Sequence, residues 1–132
     1  MEIRLTQEQG RVPITVFHIK GDINVESYEQ LQDKAREAHA AGTRNLVLDL
    51  SEVPYMSSVG IRALNNIFTL LRSDAPEESG EAIRKGISDG TFKSPHLKLV
   101  NPTKPVLSTI SMTGLDMFIE IHQQLKDAVA SF

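Results

Sequence analysis

Two adjacent hydroxyls, Ser57 and Ser58, stand out as groups able to do chemistry. They lie in the run Asp49-Leu50-Ser51-Glu52-Val53-Pro54-Tyr55-Met56-Ser57-Ser58-Val59-Gly60-Ile61. An apolar strand runs into a loop there, and both serines fall where a helix begins. A hydroxyl at such a place is expected to cap the helix by accepting a backbone N–H of its first turn. A cap on one serine does not exclude a second role for its neighbour. Unsatisfied N–H groups and the helix dipole favour negative charge at this end. A phosphate added there would be tolerated by the fold. It would bring roughly −1.5 to −2 charges and three acceptor oxygens to the surface. It would then act on a partner interface, by repulsion or desolvation, without unfolding the domain.

Other chemistries find little support. Met56 replaces the leading glycine of a Gly-x-Ser-x-Gly nucleophile elbow, and no histidine is placed to identify itself as a base. The four histidines, His18, His39, His96 and His122, have no zinc-ligand spacing. His18 reads as a structural residue of a strand, and His39 and His122 as helix-surface residues. No glycine-rich phosphate loop occurs. The chain contains no cysteine, which removes disulfides, thiolate metal sites and a thiol nucleophile. The residues therefore point to no catalytic group, no metal and no cofactor. A net charge of −3 gives no basic face for nucleic acid. Aromatic residues make up 5% and tryptophan is absent, so stacking platforms are not expected. No apolar run approaches the ~18–20 residues that span a bilayer. Met1-Glu2-Ile3-Arg4 opens straight into alternating residues rather than a signal peptide. The expected setting is the cytoplasm, with protein partners.

The elements that must hold the serines follow from periodicity. Glu2 to Thr6 and Pro13 to Lys20 alternate as strands, with Glu8 to Arg11 suited to a hairpin turn. Gly21-Asp22-Ile23-Asn24 ends the second strand, and Asn24 is the expected N-cap of a first helix. Tyr28, Leu31, Ala35 and Ala38 recur at helical spacing up to a stop at Gly42, a helix of about five turns. Asn45 to Leu50 is a nearly continuous apolar run, suited to a strand covered on both faces. Ser51 to Met56 reads as a loop. The helix from Ser57 or Ser58 carries the stripe Ile61, Leu64, Phe68 and Leu71.

Ser73 to His96, rich in charge with proline and glycine, reads as a solvated insertion, and Glu77 to Lys85 could form a short helix within it. Leu97 to Val100 resumes as a strand. Asn101 to Pro105 starts a third helix that ends before Gly114. Met117 to Ile121 reads as a strand and His122 to Ser131 as a closing helix. A hairpin followed by alternating units predicts an α/β fold, a mixed sheet with helices packed on it, in one domain over residues 1–132.

In these segments the chain resembles the STAS domain family, and within it the stand-alone anti-sigma factor antagonists, or anti-anti-sigma factors, of bacteria. The resemblance is carried by Gly21-Asp22-Ile23-Asn24, Asp49-Leu50-Ser51 and Met56-Ser57-Ser58-Val59-Gly60-Ile61. Leu97-Lys98-Leu99-Val100-Asn101-Pro102, Thr113-Gly114-Leu115-Asp116 and Phe118-Ile119-Glu120-Ile121 complete it. It implies a sheet of four to five strands with about four helices mainly on one side. It also implies partner switching. The unphosphorylated protein would bind an anti-sigma factor that is a GHKL-type Ser/Thr kinase, and phosphorylation would release it. A protein phosphatase would reset the cycle.

The matching acceptor is Ser58, with Ser57 as the alternative. Asp22, Asn24, Met56, Ser57, Ser58, Gly60 and Ile61 would meet the partner. Two carboxylates common in the family are replaced, one by Ser57 and one by Asn24. Two other readings stand beside this one: a STAS scaffold or ligand-binding signalling module whose serines only cap, and, as an outlier, an esterase-like enzyme using Ser58.

Overall fold

A computed structural model describes residues 1–72 and 94–132. The expected short helix at 77–85, and most of the expected insertion at 73–96, lie outside the described residues. The strands are β1 (Glu2–Gln9), β2 (Pro13–Lys20), β3 (Leu46–Glu52), β4 (Leu97–Val100) and β5 (Glu120–His122). They form one sheet in the order β1-β2-β3-β4-β5. β1 is antiparallel to β2, and β2 to β5 run parallel to one another. The helices among the described residues are α1 (Tyr28–Ala40), α2 (Ser58–Arg72), α3 (Lys104–Thr113) and α4 (Leu125–Ala130), with a 3-10 turn at Leu115–Met117. The mixed sheet and its helices are those expected.

Side-chain alternation divides the sheet into two faces. Phe17, Ile19, Leu46, Leu48, Leu50, Leu97 and Leu99 point to one side. They pack against Leu31 and Ala35 of α1, Leu64, Ile67 and Phe68 of α2, and Val106 and Ile110 of α3. Ile14, Val16, Val47 and Val100 point to the other side, where α4 covers them through Leu125, Ala128, Val129 and the terminal Phe132. Both faces of β4 and of the first half of β3, Leu46 to Leu48, are therefore covered, which is why these stretches lack a clean polar alternation.

Several boundaries move for local reasons. Glu8 and Gln9 belong to β1 rather than to the turn, because they pair with Ile14 and Pro13. The hairpin turn is thus Gly10–Val12, and a side chain at Gly10 would lie 3.1 Å from Val129 of α4. α1 has 13 residues, about three and a half turns, and starts at Tyr28. Asn24 is not its cap. Asn24 opens a preceding turn, its Oδ1 accepting the Glu26 N–H at 2.9 Å and its carbonyl accepting the Tyr28 N–H at 2.9 Å. β3 continues through Glu52, beyond the expected loop start at Ser51. β5 begins only at Glu120, because Leu115–Met117 winds into the 3-10 turn. His122 consequently lies on β5, not on a helix surface.

One polar cluster sits under α4. Lys98, 2% exposed, places Nζ 3.0 Å from Glu120 Oε2 and 5.0 Å from the centre of the Phe132 ring. Glu120 Oε1 lies 3.0 Å from His122 Nε2. Burial disfavours the Glu120 carboxylate, but Lys98 and His122 outweigh that effect and hold its pKa below the ordinary value. A depressed folded-state pKa contributes stability above the unfolded value, and this is lost as pH falls through the folded one. Glu120→Gln keeps an acceptor for Lys98 but removes the charge. It is expected to lower stability near neutrality and to flatten the acid limb as pH falls through and below the ordinary glutamate range. Urea denaturation across that range checks this; an acid limb as steep as that of the unmodified chain would refute it.

Candidate functional site

Because β2 to β5 are parallel, their carboxyl ends share one edge of the sheet, and the crossover loops that leave them gather there. Gly21 turns the chain out of β2 at φ +110°, where a side chain would be strained. The loop that follows is laced to the loop after β3. The Gly21 N–H donates to the Glu52 carbonyl, the Ile23 N–H to that of Tyr55, and the Ser57 N–H to that of Ile23, each at 3.0 Å. Ile23 and Met56 thus form an isolated parallel bridge that extends the sheet to the start of α2. Both side chains are fully buried. Gly60 packs onto this bridge: a Cβ there would run into the Met56 side chain and lie 3.0 Å from Ile23 Cγ2. Thr103, at the start of α3, donates its hydroxyl to the Val53 carbonyl at 2.8 Å and ties in a third loop.

The two serines have different jobs. Ser57 is the cap. Its Oγ accepts the Val59 N–H at 3.2 Å, and its carbonyl accepts the Gly60 N–H at 2.9 Å. Ser58 is the first residue of α2 and is exposed. No hydrogen bond engages its hydroxyl among the described residues. The first turn of α2 carries no acidic residue. Around Ser58 the surface is built from Asp22, exposed, and Asn24, half-buried. The Asp22 carbonyl accepts the Ser27 hydroxyl at 2.7 Å, which stiffens this loop.

Met56 and Gly60, expected among the partner-binding residues, are buried and shape the surface from beneath. Ile61 is half-buried against the core. Two apolar residues complete the exposed surface instead: Val25 at 70% exposure and Tyr55 at 52%. Neither is expected from helical or strand spacing. Their signal is that they are apolar residues in polar loops with no periodic partner to bury them.

The histidines lie away from Ser58. His18 on β2 places Nδ1 3.0 Å from Asp49 Oδ2 and Nε2 2.9 Å from Thr6 Oγ1. The Asp49 Oδ1 accepts the Ser51 N–H at 3.1 Å. Burial disfavours the Asp49 carboxylate, yet hydrogen bonds from Ser51 and His18 prevail and hold its pKa below the ordinary value. Among the described residues, no group of three His, Asp or Glu side chains converges to hold a metal ion. The arrangement at the helix start offers an accessible hydroxyl in a frame of fixed backbone. It can accept a group delivered by another protein.

The family model of the STAS domain matches residues 4–75, which run from β1 beyond the end of α2 and include both laced loops and Ser58. The chain belongs to the STAS domain family. Its fold is shared by an anti-sigma factor antagonist from Mycobacterium paratuberculosis at 22% identity, covering 98% of this chain and 93% of that one with a TM-score of 0.68. The anti-sigma factor antagonist SpoIIAA in its unphosphorylated form is 16% identical, covering 96% and 93% with a TM-score of 0.67. The phosphorylated form of SpoIIAA, a Bacillus cell fate determinant, is 15% identical, covering 96% of each chain with a TM-score of 0.59. No curated protein matches the chain by sequence.

The assignment of roles in this STAS domain predicts a graded response to substitution. Ser57→Ala should cost about 1 kcal/mol through loss of the cap. Ser58→Ala should stay within about 0.5 kcal/mol. Gly60→Ala should lose about 1–3 kcal/mol through overpacking, against the gain in helix propensity. Urea denaturation of the three variants measures this order, and a larger loss for Ser58→Ala than for Ser57→Ala would reverse the assignment.

Proposed function

We propose that this STAS domain is an anti-sigma factor antagonist that works by partner switching. In the unphosphorylated form it binds an anti-sigma factor that is also a GHKL-type Ser/Thr kinase, and so frees a sigma factor. The kinase phosphorylates Ser58, the complex dissociates, and a protein phosphatase resets the protein. It acts in the cytoplasm, as a binder and a substrate rather than a catalyst. No helix among the described residues is long and apolar enough to cross a membrane.

The observation that carries this reading is the exposed hydroxyl of Ser58, released from capping duty by Ser57, at the end of two laced loops that also expose the apolar groups of Val25 and Tyr55. Exposed apolar side chains in the core of a contact are buried on binding and give it most of its affinity. A phosphate in the middle of that contact would have to be desolvated or would meet like charge. Every 1.4 kcal/mol of that penalty is about a tenfold loss of affinity. The structures of SpoIIAA in unphosphorylated and phosphorylated forms support the reading by analogy of fold. The first turn of α2 carries no carboxylate of its own to repel an incoming phosphate.

Intact-mass measurement and peptide mapping of the protein from its own host should find a phosphate on Ser58 and none on Ser57. In pull-downs, Ser58→Ala should hold a kinase-like partner and Ser58→Asp should release it, with affinity falling at least about tenfold. Tyr55→Ala should weaken the complex by more than about 1 kcal/mol while leaving the fold intact. If no growth condition yields phosphate on either serine, and partners ignore both Ser58 variants, partner switching is wrong and the serines belong to a scaffold.

A further inference from the structure

We propose that Thr6 is a second site of covalent chemistry, whose hydroxyl takes the acyl group of a small activated carboxylic ester with the help of His18 and Asp49. The site lies on the sheet face opposite α1 to α3 and is independent of Ser58. Thr6 and Arg4 project from β1, His18 from β2 and Asp49 from β3. Arg4 stands opposite His18, and His18 opposite Asp49, in the strand register.

The order of contacts is hydroxyl, imidazole, carboxylate. Thr6 Oγ1 lies 2.9 Å from His18 Nε2, and His18 Nδ1 lies 3.0 Å from Asp49 Oδ2. An ionised carboxylate can only accept a hydrogen bond, so Nδ1 carries the proton. In the neutral imidazole, Nε2 is then the lone pair, and it must accept from the Thr6 hydroxyl. This is the connectivity of a nucleophile, a general base and an orienting acid. The depressed pKa of Asp49 keeps the orienting group ionised near neutrality.

A cleft of about 480 Å³ is lined among others by Arg4, His18, Lys20 and Asp49, and Thr6, outside that lining, meets it through its contact with His18. Thr6 is half-buried, and Arg4, two residues away on the same face, is exposed. Its guanidinium can face the oxygen on which charge develops. In the step proposed, the Thr6 oxygen bonds to the ester's carbonyl carbon while its proton passes to His18 Nε2. The bond from that carbon to the leaving oxygen then breaks, and the leaving alkoxide takes the proton from Nε2. The products are an acyl ester on Thr6 and a free alcohol. Glu2, Asp49 and Glu52 also line the cleft and oppose a polyanion, which favours an uncharged acyl donor over a phosphoryl donor.

The full chain incubated with p-nitrophenyl acetate near neutral pH tests this. One equivalent of p-nitrophenolate should be released in a burst, and peptide mapping should place an acetyl group on Thr6. Thr6→Val should abolish that adduct, and Thr6→Ser should restore it on a serine. His18→Gln should slow acetylation of Thr6 by about a hundredfold or more. Arg4→Gln, a change at an exposed residue that leaves folding aside, should slow it several-fold. Circular dichroism and thermal melting of each variant separate lost reactivity from lost structure. Acetylation confined to lysines and the amino terminus would overturn the proposal. So would a Thr6 adduct that forms equally fast in His18→Gln and Arg4→Gln, which would leave the relay a cross-strand hydrogen-bond ladder only.

Discussion

The site at the start of α2 depends on one backbone contact, the parallel bridge between Ile23 and Met56. A loop that leaves a strand normally has its polar groups in water and many conformations open to it. Here the loop after β2 and the loop after β3 satisfy each other's N–H and carbonyl groups, at 3.0 Å in each case. The two strands in effect continue past their ends. The bridge is possible only because Gly60 lacks a side chain, since a Cβ would occupy the space of Met56. Ser57 then arrives at α2 with its N–H already bonded to Ile23, and its side chain is left to cap the helix. The exposure of Ser58 is a consequence of that geometry.

The same sheet offers two environments. On the face of α1 to α3 the residues are apolar and continuous. On the other face, a short α4 covers Ile14, Val16, Val47 and Val100, while polar groups bridge neighbouring strands where it does not reach. Lys98 and Glu120 lie at its margin, with the Lys98 charge matched by one carboxylate and the face of Phe132. A lone buried ammonium would be costly, whereas a paired one fixes which strand lies beside which. The second face is therefore where charge is tolerated, and it holds Asp49 and Glu120, whose carboxylate pKa values are depressed.

Much of this was legible in the sequence. Period-two and helical spacing place the strands and helices, and the glycines at 21, 42 and 114 mark turns that do adopt positive φ. The serine pair is found from its place after an apolar strand. Three things were not legible. Asn24 has the chemistry of a cap, but the chain makes one more turn before α1, and only the bridge to the next loop requires it. Met56 and Gly60 carry the family pattern as strongly as Ser58, yet they are buried, because a motif mixes residues that act with residues that hold. The His18–Asp49 pair spans 31 positions in sequence and exists only through the strand register. Alternation shows that both residues sit on strands, and not that they touch.

The division between Ser57 and Ser58 bears on how a switch can be both strong and harmless to the fold. If the capping hydroxyl were the acceptor, its modification would remove a hydrogen bond worth about 1 kcal/mol and move the helix start. In the partner-switching proposal the acceptor stands one residue later, which would separate the two functions. A phosphate on the first helical residue meets the favourable end of the dipole, worth about 0.3–1 kcal/mol at an exposed site. The modified domain is then as stable as the unmodified one, and no conformational change has to be driven. On that proposal the whole penalty would fall on a surface that includes Val25 and Tyr55, where a partner would have to exclude water to bind. Such a switch stores nothing in the domain. Its strength is set by how completely the partner covers Ser58, which makes the exposed apolar pair as important to release as it is to binding.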